Sequence, residues 1–169
     1  MKDNRGFTLV ELIAVIAVMA IIAGVSTTVL SSVSHREMKN FLHAYDAMLS
    51  ECKVETLSGM PSPSLKLVFE DKEYKAVLCD KNGNKIKEEY LGEYVLKCTV
   101  SGTAYTFQKN DTSKTLLTVR YDRNTGALTA THPDGTNISN KFEISVANKK
   151  GVTYSIELIP QTGYHKILP

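Results

Sequence analysis

The sequence predicts an α+β fold: a long N-terminal helix, transmembrane in its first half, packed on a C-terminal antiparallel β-sheet domain. Three observations predict it. Nineteen residues from Leu12 to Leu30 carry no charge, a helical apolar periodicity runs from Met38 to Cys52, and short β-type runs alternate with turn residues from about Leu65. Averages hide this division. The 169 residues are 43% hydrophobic and 22% charged with a net charge of +2, which alone describe one modest soluble domain. Those values exclude a disordered tail, a polytopic membrane protein and a collagen-like fibre, and the charge balance gives no polyelectrolyte signal for nucleic acid.

Leu12–Ala23 is an unbroken apolar run, and the whole uncharged stretch is about 28 Å long as a helix, close to the ~30 Å bilayer core. Lys2 and Arg5 precede it and place the N-terminus on the cytoplasmic side, so the chain from His35 onward lies outside. A secretory signal peptide cut near Gly24-Val25-Ser26, or a plain signal anchor, is the rival reading of this span. Glu11 opposes both. An acidic side chain near a bilayer centre costs about 2.5–3.5 kcal/mol on insertion scales, less near the interface, and a discarded signal has no use for one.

Glu11 belongs to the run Gly6-Phe7-Thr8-Leu9-Val10-Glu11-Leu12, which resembles the N-terminal signature of type IV pilins, pseudopilins and competence pilins. A short basic leader, Gly before Phe, Glu four residues after Phe and a hydrophobic run all match, over the first seventh of the chain. The resemblance implies that a prepilin peptidase cuts between Gly6 and Phe7 on the cytoplasmic face and methylates the new amino group of Phe7. Losing Lys2, Asp3 and Arg5 would lower the net charge from +2 to +1. It further implies homo- and hetero-pilin partners in a filament and a membrane assembly platform with a cytoplasmic ATPase. Before assembly the chain would sit in the lipid bilayer of the cytoplasmic membrane, and afterwards in an extracellular filament or at the cell surface. In the family the Glu equivalent to Glu11 faces the N-terminal ammonium of a neighbouring subunit. Four helical residues place Glu11 about 6 Å beyond Phe7. Pairing with an ammonium penalises a carboxylate in a low-dielectric core far less than isolation does, so the charge would favour assembly and set axial register. The Thr8 hydroxyl can hydrogen-bond locally at the same end.

The helical pattern continues beyond the lipid span. Met38, Phe41, Leu42, Tyr45, Met48, Leu49 and Cys52 recur at three- and four-residue spacing, with Glu37, Lys39, Asn40, Asp46, Glu51 and Lys53 on the other face. Core packing is the reading of that stripe. The helix is predicted to run from Phe7 to about Leu57, ended by Gly59 and Pro61-Ser62-Pro63. Many pilins carry a helix-breaking proline in the apolar half; this chain has none there. Gly24, Thr27, Thr28, Ser31, Ser32 and Ser34 instead lower helix propensity, and Ser34-His35-Arg36-Glu37 reads as a capping box. Either the stretch is simply hydroxyl-rich, or it bends or melts on assembly. The predicted organisation is a leader at 1–6, a transmembrane and assembly helix at 7–34, its amphipathic extension at 35–58 and an extracytoplasmic β-rich domain at 59–169.

Predicted strands are Leu65–Phe69, Tyr74–Cys79, Tyr94–Val100, Tyr105–Phe107, Leu116–Tyr121, Ala127–Thr131, Phe142–Val146 and Val152–Leu158. Turn signals such as Asn82-Gly83, Asp134-Gly135 and Lys150-Gly151 separate them. Cys52, Cys79 and Cys98 lie in the exported part, where disulfides persist. Three pairings are open. Cys79–Cys98 is favoured because the two sit on strands neighbouring in sequence; Cys52 is a core residue or a staple, or all three stay reduced and buried.

No catalytic constellation emerges. His35, His43, His132 and His165 are scattered without metal-ligand spacing, so neither metal nor cofactor is expected. Asp80-Lys81-Asn82-Gly83-Asn84 superficially resembles a calcium loop but has Lys85 where Gly is needed and Leu91 where a bidentate Glu is needed, and reads as a β-turn. There is no nucleophile elbow and no phosphate-binding Gly-rich loop. Asn110-Asp111-Thr112 and Asn137-Ile138-Ser139 fit the glycosylation sequon and read as exposed turns. Residues 59–169 carry 15 Lys+Arg against 12 Asp+Glu, and Lys81/Lys85/Lys87 with Lys149/Lys150 are the candidate contacts to DNA, weighed against an ordinary solvated surface. The expectation is therefore a non-enzymatic pilus subunit, major or minor. A type II secretion pseudopilin or competence pilin is the alternative, and a non-polymerising membrane-anchored binding module is a third reading.

Overall fold

The computed structural model describes residues 9–71, 73–92, 97–100, 103–105, 113–147 and 152–168, with backbone only for residues 22–35, 97–100, 103–105 and 113. Two compact units result, Met1–Arg36 and Glu37–Pro169. One helix, α1 (Leu9–Ser58), supplies the described part of the first unit and the opening of the second. Among the described residues eleven strands follow: β1 (Ser64–Glu70), β2 (Glu73–Cys79), β3 (Lys85–Gly92), β4 (Lys97–Val100), β5 (Thr103–Tyr105), β6 (Ser113–Tyr121), β7 (Leu128–Thr131), β8 (Asn137–Ile138), β9 (Phe142–Ala147), β10 (Thr153–Ile159) and β11 (Tyr164–Leu168). The α+β class stands as predicted.

Backbone helix passes unbroken through Ser34–Glu37, so the capping box predicted there is not used and no break occurs in the hydroxyl-rich stretch. The helix ends where the glycine demands it. Gly59 takes φ 113°, the Met60 N–H donates to the Glu55 carbonyl at 3.0 Å and the Gly59 N–H to the Thr56 carbonyl at 3.4 Å. That pair of bonds is a Schellman motif, which satisfies carbonyls the helix itself leaves open.

In the second unit the predicted apolar stripe forms the core. Phe41, Leu42, Tyr45, Leu49 and Cys52 are fully buried, with Met38, Met48 and Thr56 nearly so. Each large side chain so buried contributes about 1.5–3 kcal/mol. Phe41 meets Tyr74 of β2 edge-on at 5.6 Å, and Tyr74 meets Phe69 of β1 at 5.0 Å. Thr56 tolerates burial because its hydroxyl donates back to the Cys52 carbonyl at 2.8 Å.

The strands form two sheets. Their orders are β3-β2-β1-β6-β7-β8 and β11-β10-β9-β4-β5, antiparallel throughout. Alternation explains the inner faces: Leu65, Leu67 and Phe69 of β1, Tyr74, Ala76 and Leu78 of β2, Ile144 and Val146 of β9, Ile156 and Leu158 of β10 all enter the core. A register shift between Leu67 and Val68 against β6 lets consecutive Leu116 and Leu117 both be buried, the signature of a β-bulge.

Three strands escape sequence patterning. β3 is an edge strand exposed from Lys85 to Tyr90, β8 has only two residues, and β11 is an edge strand with no fully buried residue. β5 begins at Thr103 rather than Tyr105, and the predicted Tyr94–Leu96 and Thr106–Phe107 lie outside the described residues.

Acid-capped loops hold three of the turns. Asp80 Oδ1 accepts the N–H groups of Asn82 (2.8 Å) and Asn84 (2.9 Å), confirming a turn at the calcium-like stretch. Asp122 Oδ1 accepts Asn124 N–H, Thr125 N–H and the Thr125 hydroxyl, and Asp134 Oδ1 accepts Thr136 N–H. Side-chain hydrogen bonding from Asn84 holds the Asp80 carboxyl below its ordinary pKa, the Thr125 hydroxyl does the same for Asp122, and the Thr136 N–H for Asp134. At the β10–β11 turn Gly163 takes φ 61°, and a Cβ there would overlap the Gly126 carbonyl oxygen. Two turns thus pack backbone to backbone.

Candidate functional site

The predicted processing residues Gly6 and Phe7, and the predicted assembly residue Thr8, lie outside the described residues. Glu11 lies within them, in the first turn of α1, and is exposed. The N-terminal end of a helix carries partial positive charge, so a carboxylate is electrostatically favoured there. From Leu9 to Ile21 Glu11 is the sole ionisable residue, and nine large apolar side chains of that segment are each 48–75% exposed. They point in all directions around the helix, since apolar residues fill every position except 11. Among the described residues no helix is long and apolar enough to cross a membrane; of the expected span Leu12–Leu30, the side chains from residue 22 onward are outside the described set.

Comparison with known families addresses the same segment. Residues 1–27 match the family model described as the prokaryotic N-terminal methylation motif. The chain carries the type IV pilin signature. No curated protein and no solved structure matches the chain. The matched residues include Glu11 and most of the apolar run and stop short of the β-rich unit.

The remaining predicted positions divide clearly. Cys52 and Cys79 are free and buried, and the Cys98 side chain is outside the described residues. The basis for pairing Cys79 with Cys98 was adjacency of their strands, but β2 and β4 belong to different sheets. Burial pushes the Cys52 thiol up to about 12, leaving an inert core residue. Among the described residues no group of three His, Cys, Asp or Glu is placed to hold a metal ion. Of the basic cluster, Lys85 pairs with Glu88 at 2.5 Å and Lys87 with Glu51 at 2.6 Å, so two of its three charges are already compensated. Lys149 and Lys150 lie outside the described residues.

One arrangement was not visible in the sequence. His165 of β11 meets two residues of α1: Nε2 lies 3.1 Å from Ser50 Oγ and 3.5 Å from Asp46 Oδ1. Nearby, Lys39, His43, Tyr154, Ile167 and Leu168 line an open groove of about 500 Å³. Residues 115 positions apart cannot be paired from spacing, and Tyr164–Leu168 gives no alternation that would have placed a strand there.

Proposed function

We propose that the protein is a structural subunit of a type IV pilus-like filament. A prepilin peptidase cuts it between Gly6 and Phe7 and methylates the Phe7 amino group. The apolar segment holds the precursor in the cytoplasmic membrane as a single span, and the same segment later packs against those of other subunits in a filament at the cell surface. One observation carries this reading: the methylation motif at residues 1–27 leads into a helix whose residues 9–21 expose apolar side chains on every side and one carboxylate. Such a surface is stable only when covered, by lipid before assembly and by neighbouring helices after it. Glu11 then takes the N-terminal ammonium of a neighbour as its partner in that low-dielectric core, with Thr8 hydrogen-bonding at the same end.

The role is structural rather than catalytic, and the force for assembly comes from a separate ATPase at the membrane platform. Replacing Glu11 by Ala tests the claim. The variant should insert and be cleaved but fail to enter filaments, read as loss of sheared-filament protein with an unchanged membrane pool. Wild-type incorporation by the variant would contradict the assembly role of Glu11, and absence of the unaltered protein from filaments would favour a non-polymerising membrane-anchored module.

A further inference from the structure

One cleft in the second unit is left open by its own packing. Lys39 and His43 of α1 form one side of a groove of about 500 Å³, and Tyr154 of β10 with Ile167 and Leu168 of β11 forms the other. Lys39 and His43 are four residues apart and so stand one above the other on a single helix face. Antiparallel pairing brings the start of β10 and the end of β11 together at the same end of their sheet. Tyr154 and Ile167 pack against the core there, yet both remain half-buried. The volume lies within the range of about 300–1,000 Å³ that accepts a small organic ligand.

Rim and floor differ in chemistry. On the rim, Lys39 Nζ lies 5.6 Å from the centre of the Tyr154 ring, and His43 is exposed. Among the described residues that ring is the sole partner of the Lys39 ammonium, and the His43 imidazole has none. Lys75, Lys85, Lys87 and Lys141, in contrast, are each held by a carboxylate. Asp46, the next charged residue along the same helix face, faces His165 at 3.5 Å. The floor is the Tyr154 ring and the Ile167 and Leu168 side chains, which offer hydrocarbon. An uncompensated ammonium and an imidazole N–H beside such a floor complement a ligand with an anionic head and an apolar tail. Lysine meets a phosphate as a point charge, and a neutral imidazole still donates one N–H to it.

Position along the chain selects which ligand of that kind meets the groove. Lys39 follows Leu30, the last residue of the uncharged run, by nine residues, and the second unit begins at Glu37. Helical side chains lean toward the N-terminus, so Lys39 and His43 lean toward the end of α1 that the proposed span occupies. We propose that the groove binds an anionic phospholipid of the outer leaflet, a reading that rests on the single-span membrane segment proposed above. The lipid phosphate meets Lys39 Nζ and the His43 N–H, and the glycerol and first methylenes of one acyl chain lie along Tyr154, Ile167 and Leu168. A zwitterionic lipid fits less well, because its own cationic group competes with Lys39 for the phosphate.

Methyl NMR of the full chain in dodecylphosphocholine micelles tests this, by titration with short-chain phosphatidylglycerol, phosphatidylcholine of the same chain length, or glycerol phosphate alone. The Ile167 and Leu168 methyl signals should shift saturably with phosphatidylglycerol and far less with the other two. Lys39→Gln should weaken that binding about fivefold, the worth of one basic side chain at an anionic lipid surface, and Lys39→Arg should keep it. An equal response to phosphatidylcholine or to glycerol phosphate, or unchanged affinity in Lys39→Gln, would overturn the proposal. Shifts that follow protein concentration without added lipid would assign the groove to a second copy of the chain and overturn it equally. Flotation of the full chain with phosphatidylcholine vesicles reads the span separately. A chain that does not float contradicts the membrane reading, whereas one that floats while the Ile167 and Leu168 methyls stay silent toward phosphatidylglycerol contradicts the lipid site alone.

Discussion

Glu11 and Leu49 show how differently one helix treats its residues. Glu11 stands exposed within a run of exposed apolar residues. Leu49 is fully buried within the core, where the same helix meets the strands. Leu49→Ala should destabilise the second unit by about 2–5 kcal/mol, the range for removing a buried leucine and leaving its cavity. Urea unfolding followed by tyrosine fluorescence measures it. The buried stripe from Met38 to Cys52 was readable because its three- and four-residue spacing is the spacing of a helix face. His165 was not readable, because its contacts depend on which helix residues a distant strand happens to meet.

At the scale of elements, legibility followed burial. β1, β2, β6, β9 and β10 alternate buried and less buried residues, and their periods stand out in the sequence. β3 does not. Lys85-Ile86-Lys87-Glu88-Glu89-Tyr90 is exposed on both faces, and its charges mark an edge protected from pairing with other chains. The ion pairs Lys75–Glu88 and Lys87–Glu51 link that edge to β2 and to α1. The division into two sheets was equally hidden, since strand order is set by long-range register rather than local pattern. The end of α1, in contrast, was legible from Gly59, whose φ of 113° suits no other residue well. Gly59→Ala should cost about 1 kcal/mol or more, both from backbone strain and from a Cβ placed 3.2 Å from Arg123 Nη2. The measurement is the shift in urea midpoint at unchanged slope.

The whole molecule combines a segment that needs cover with a unit that has its own core. Acid should act on the second through its turns. Asp80, Asp122 and Asp134 have depressed folded pKa values, so the stability they contribute is present above their unfolded value of about 3.9 and is lost as pH falls through the folded values. The urea midpoint should therefore drop between pH 5 and pH 2.5, and Asp122→Asn should make that drop shallower. For the first unit, the motif at residues 1–27 and the exposed apolar helix surface support the proposed reading of a processed, polymerising subunit. N-terminal mass spectrometry of the protein recovered from the cell surface tests that account most directly. It predicts a mature chain that begins at Phe7 and bears one added methyl group on its amino nitrogen. A chain that keeps Met1, or one cut near Gly24-Val25-Ser26, would contradict it.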